Sequence, residues 1–181
     1  MNPEILRLLN PRTARLDGTN KGVPEITTDD VNAACTGADQ IGLDLLLSRV
    51  CDDRSAQHRA FYSLYQEVIQ LAVDHRWKIR ERGEEKLRSL TQLILFELTN
   101  PIRCPKCKGT RYDKRLRPCK ACHGTGFYKI KNAQRARILG INASTWGRVW
   151  VPRYADILML LMNHESDALK NISKKLKRDL S

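Results

Sequence analysis

The chain has 181 residues, 41% of them hydrophobic and 29% charged, with a formal net charge of +12. That is enough for one medium domain or two small modules. No apolar run approaches the roughly 18 residues that span a bilayer, which excludes a helical membrane protein. The opening MNPEILRLLNPRTARLDG lacks the basic and apolar regions of an export signal. Six cysteines without such a signal indicate a reducing compartment, so a cytoplasmic location is expected.

The charge is unevenly spread. Residues 101–155 carry fourteen Lys/Arg and one acid, Asp113, whereas residues 1–100 carry thirteen basic and fifteen acidic side chains. A polyanion, with phosphate as the recognised group, is the expected partner of the basic segment. The competing reading is a solvated basic face that offsets a negatively charged metal site.

In chain order, residues 1–25 contain three prolines and two glycines and predict a loosely docked arm. Thr27 to Asp30 form an N-cap cluster ahead of VNAACTGADQIGLDLLLSRV, which predicts one broken or two short helices with Gly37 and Gly42 as weak points. A second cap run, Asp52 to Ser55, opens a helix whose apolar stripe would be Phe61, Tyr65, Val68, Ile69 and Ala72. Beyond Gly83, Leu87, Leu90, Ile94 and Leu98 form another stripe, ended by Asn100-Pro101. The last helix is expected to begin near Pro152, with Ile157, Leu160, Leu161 and His164 facing inward and a basic tail from Lys170 to Arg178. Cys35 and Cys51 read as inert core thiols, and His58 and His75 as surface or capping groups. Strand-like alternation is almost absent, so the fold class is all-α.

Cys104, Cys107, Cys119 and Cys122 form two Cys-x2-Cys knuckles separated by eleven residues. That spacing can place four thiolates tetrahedrally around one zinc ion. Gly109 and Gly124 follow each knuckle by two positions, where the backbone must turn tightly around sulfur. Two disulfides are the bland alternative, and His123 is a substitute ligand. With no open coordination position and no neighbouring acid, the site reads as structural. No phosphate-binding glycine loop or nucleophile elbow is visible, and the chain is read as a non-enzyme.

NAQRARILGINASTWGRVW has the layout of a helix-turn-helix. The first helix would run from about Asn132 to Leu139, with Ala136 at the crossing and Gly140 as the left-handed turn residue. Asn142 and Ser144 can cap the second helix, and Ile141, Leu139, Trp146 and Val149 would face inward. Asn142, Ala143, Ser144, Gly147 and Arg148 would then face a major groove, with Arg148 suited to guanine. Lys131, Arg135 and Arg137 are placed for phosphate contacts. The bland alternative is an ordinary helical hairpin. The predicted organisation is an arm (1–25), a helical body (26–99, with about 84–99 as the first helix of the DNA-binding domain), a zinc-binding insertion (100–127), and the helix-turn-helix with its C-terminal helix (128–181).

CPKCKGT, CKACHGTGF, INASTW, TWGRVWVPRYADIL and the block TTDDVNAACTGADQIGLDLLLSRV, in this order, resemble the lambda-type Q antitermination proteins of lambdoid bacteriophages and prophages over about residues 26–175. The resemblance implies a zinc-bearing, mostly helical protein in the host bacterial cytoplasm. It implies binding to a specific double-stranded DNA element at a late promoter; a second copy of the protein on the DNA is a further candidate partner. It implies loading onto paused bacterial RNA polymerase with its σ factor, so that terminators are read through. The four cysteines would be the zinc ligands and Ser144 to Arg148 the DNA-facing segment. The resemblance departs at the first knuckle, which has Arg111 where the second has Gly126. Two other readings compete. One is a repressor or activator acting by operator binding alone. The other is a chaperone-type cysteine-rich module, disfavoured by having only two repeats and no His-Pro-Asp triplet.

Overall fold

The computed structural model describes residues 27–79 and 83–179, so the arm expected over 1–25 lies outside the described residues. Among these residues there is no strand, only helices and two isolated β-bridges. They fall into two compact units: residues up to Trp77 together with those from Asp156 onward, and Lys78–Ala155.

The first unit begins with α1 (Thr28–Cys35), α2 (Gln40–Cys51) and α3 (Arg54–Asp74). A capping box opens α1: Asp30 N–H donates to Thr27 Oγ1 at 3.2 Å, while Thr27 N–H donates to the Asp30 carboxylate at 2.8 Å. Asp39 caps α2 through Gly42 N–H at 2.7 Å, and Asp53 caps α3 through Ser55 and Ala56 N–H. Each such cap stabilises its helix by about 1 kcal/mol. Val31, Ala34 and Leu46 pack with Ala168, Ile172 and Leu176 into one apolar cluster, with Cys35 and Cys51 half-buried against it.

Two expectations need correction here. Gly37, at φ +70°, does separate two helices, but Gly42 is no weak point. It is buried inside α2, and a Cβ there would lie 2.1 Å from the His164 carbonyl oxygen. Glycine is what permits this close approach. The buried face of α3 is Ala56, Ala60, Leu64, Val68 and Ala72. Phe61 and Tyr65 are only half-buried and stack on each other at 5.9 Å. Alanines let the helix axis come close to its neighbours, which leaves the bulky rings on the flank.

The second unit contains α4 (Gly83–Thr99), the cysteine knuckles, α5 (Asn132–Ile138), α6 (Ala143–Thr145) and a π turn (Trp146–Trp150). The π turn continues directly into α7 (Val151–Asp179). Helix α4 buries Leu87, Leu90, Leu93, Ile94 and Leu95, with Leu98 half-buried. The helix expected to start at Pro152 is thus a continuation, since the backbone is right-handed helical at both Trp146 and Val151. Pro152 has no N–H to donate, and its ring crowds the carbonyl one turn back. The wider π turn, closed by Val151 N–H on Trp146 O, absorbs both defects within the helix.

Candidate metal centre and nucleic-acid interface

The two knuckles fold as near copies that exchange backbone bonds. Cys104 N–H donates to Gly126 O at 2.9 Å, and Cys119 N–H donates to Arg111 O at 2.9 Å. Matching bridges join Arg103 to Phe127 and Tyr112 to Pro118. In each copy a threonine hydroxyl donates back to the preceding cysteine carbonyl, Thr110 to Cys107 at 2.8 Å and Thr125 to Cys122 at 2.7 Å. Positive φ recurs at equivalent places: Lys108 and His123, Gly109 and Gly124, Arg111 and Gly126. Arg111 therefore adopts, at φ 72°, the same left-handed turn that glycine takes in the second copy. The departure noted in the sequence leaves the geometry intact and costs only local strain.

All four sulfurs are buried and lie within 4.8 Å of one another, with Cys107 and Cys122 Sγ 3.7 Å apart. Thiolates about 2.3 Å from a tetrahedral metal sit about 3.8 Å apart, so the cluster fits such an ion. The six cysteines are free thiols, and the exposed His123 is not part of the cluster. Burial opposes ionisation of Cys122. The Gly126 N–H at 3.3 Å and the sulfurs of Cys107, Cys119 and Cys104 outweigh it, and the Cys122 pKa falls to about 6. A thiolate ready near neutral pH is what metal capture needs.

The knuckles lead into the helix pair through Tyr128, whose hydroxyl donates to Gln134 Oε1 at 2.8 Å. The same oxygen accepts Lys131 N–H at 3.0 Å and starts α5. Gly140 turns the chain at φ +61°, and Asn142 Oδ1 accepts Thr145 N–H at 2.7 Å. Of the two cap candidates, Asn142 is the one used. Ala136, Leu139 and Trp146 are buried as expected, and Ile141 is half-buried. Val149 is not: it is 39% exposed, and Trp150 takes the inward place. The π turn shifts the inward register from three residues after Trp146 to four.

Asn142, Ala143, Ser144, Gly147 and Arg148 are all exposed, as are Lys131 and Arg137. Arg135 requires correction. Its guanidinium is held by Glu97 at 2.6 and 2.8 Å and by the Tyr154 hydroxyl at 3.1 Å, and it lies 4.4 Å over the Tyr154 ring. It ties α5 to α4 and α7 instead of offering its charge to phosphate. Burial, together with the Glu97 carboxylate, pushes the Tyr154 pKa up to about 12, so its hydroxyl stays a donor to Glu97 at 2.9 Å. Charge and spacing alone gave no sign of this partner, although Glu97 lies on the very helix assigned to the domain.

These features define an all-helical protein with a buried four-cysteine cluster able to chelate a metal. Among the described residues no helix is long and apolar enough to cross a membrane. The chain belongs to the family described as conserved hypothetical protein CHP02642, whose model matches residues 65–181. That span includes the knuckles and the helix pair. No curated protein matches the chain.

Proposed function

We propose that the chain is a zinc-stabilised, DNA-binding transcription antitermination factor. Zinc, held by Cys104, Cys107, Cys119 and Cys122, is the ion that suits four thiolates in a closed structural site. The helix pair reads duplex DNA as a helix-turn-helix, with Ala143, Ser144, Gly147 and Arg148 toward the major groove. Lys131 and Arg137 contact phosphates. Sequence resemblance supplies the remaining step, in which DNA binding concentrates the protein beside a paused bacterial RNA polymerase and its σ factor.

The observation that carries the DNA-reading part is Gly147. Its φ is not positive, and a Cβ there would meet nothing within 4 Å. Neither packing nor backbone conformation requires glycine, and alanine would make a better helix. Glycine there keeps the exposed surface open to a close approach from outside. Arg148 stands beside it, exposed, in the segment with fourteen cations and one acid.

The test is a purified transcription reaction with polymerase, σ factor and a late-promoter template carrying a downstream terminator. Readthrough dependent on this protein supports the proposal, whereas duplex binding without readthrough leaves an operator-bound repressor or activator. Arg148→Ala is expected to cost about 1–3 kcal/mol of specific binding. Gly147→Ala is expected to weaken binding while raising helix stability, and unchanged affinity in both variants would refute the groove-facing assignment.

A further inference from the structure

Within the eleven-residue spacer between the two knuckles, Asp113 to Arg117 form a hydrogen-bonded tip that the metal site does not need. The Tyr112–Pro118 bridge closes it, and a two-residue turn would suffice to join such a pair. Instead Asp113 N–H donates to Arg117 O at 2.8 Å, and Leu116 N–H donates to Asp113 O at 3.0 Å. The Asp113 carboxylate accepts the N–H groups of Arg115 at 2.8 Å and Arg117 at 3.0 Å, and also pairs with the Arg117 guanidinium at 3.2 Å. The Arg117 N–H is the largest influence holding its carboxyl below the usual range. The one acid of the basic segment is thus spent inside the loop.

Lys114 and Arg115 form the turn itself, and Leu116 closes it, held at φ 58° and 83% exposed, the most exposed large hydrophobic residue among the described residues. A branched side chain in left-handed backbone is strained, and here no burial compensates for it. Lys114 and Arg115 directly precede it, both exposed, and Tyr112 at the base is 51% exposed. Minor-groove binders combine an apolar wedge, leucine among them, with nearby cations, and an exposed leucine next to two exposed cations offers that combination. Because the tip is already ordered, binding need not order it.

We propose that this tip is a second duplex-DNA contact, with Leu116 as a minor-groove wedge and Lys114 and Arg115 as phosphate grips. Asp113 positions the tip without touching DNA. The proposal rests on the reading of the chain as a duplex binder and adds a second surface to it, one that deforms the DNA.

The experiment uses the full-length zinc-loaded protein and a mixed-sequence duplex rich in flexible TA and CA/TG steps, labelled at both ends for energy transfer. Wild type is expected to bind and to bring the ends closer. Leu116→Gly, which relieves the left-handed strain, is expected to melt at a higher temperature and keep its zinc. It should nevertheless bind on the order of 10-fold more weakly, with the bend lost. Asp113→Ala, which removes the acceptor of both backbone bonds, serves as the second variant and should lose the bend in the same way. If Leu116→Gly binds and bends like wild type, the wedge is refuted and the leucine belongs to a protein partner. If wild type binds no duplex at all, both the wedge and the DNA-binding function fall. If Arg148→Ala alone impairs binding, the function stands and the wedge falls.

Discussion

The first unit and the knuckle module solve the same problem in opposite ways. In the first unit, helices bury Val31, Ala34, Leu46, Ala168, Ile172 and Leu176 against one another. Its caps and close approaches, such as Gly42 on His164, tune a structure already held by apolar contact. Within the span 100–127 the buried cluster is the four cysteines, and the large apolar side chains Ile102, Tyr112, Leu116 and Phe127 are exposed. A segment this short cannot enclose a core. A buried four-cysteine cluster able to chelate a metal takes its place, and nearly every other side chain of the module faces outward. The chain thus spends apolar residues where it needs a scaffold and thiolates where it needs surface.

That contrast can be broken experimentally, and the largest effect should follow removal of a ligand. Cys119→Ser is expected to forfeit much of a metal-binding energy on the order of 10 kcal/mol and to abolish zinc binding and knuckle order. The helices of the first unit should keep their amide-exchange protection. Loss of protection throughout the chain would show that the two regions do not have separate sources of stability.

A smaller loss is expected from Arg135→Ala, which strands the Glu97 carboxylate, 14% exposed, without its cation. Breaking a pair this buried costs about 3 kcal/mol, readable in denaturant melts of the second unit. An effect on duplex affinity with unchanged stability would return Arg135 to the phosphate-contact role read from the sequence.

The smallest effect is a slope with pH. His164 lies between Asp39 at 2.9 Å and Glu67 at 2.8 Å, joining α7 to the start of α2 and to α3. Burial lowers its pKa, but the two carboxylates prevail and raise it above the ordinary value. The stabilisation is therefore complete below the unfolded pKa of about 6.5 and fades as pH rises through the higher folded value. His164→Gln should flatten that part of the stability profile. A slope that survives the substitution would assign it to other groups.

Much of this was readable from residues alone. Cys-x2-Cys spacing with trailing glycines pointed to the clustered thiols, because sulfur geometry and left-handed turns are local demands. Helix caps at Thr27, Asp53 and Asn142 were legible for the same reason. Long-range partnerships were not. Arg135 looks like any surface cation until Glu97 and Tyr154 are brought to it, and Gly42 looks like a helix breaker until His164 is packed on it. The π turn has no sequence signature of its own, because Pro152 marks a helix start far more often than a bulge within one, and its register shift leaves Val149 exposed.

The most direct measurement of the central claim is duplex binding by the zinc-loaded protein at two salt concentrations, repeated after the metal is chelated, with zinc counted in each sample. One zinc per chain, affinity that falls steeply as salt rises, and loss of binding with the metal are the predicted results. A metal-free protein that stays fully folded and binds every duplex as before would contradict the account.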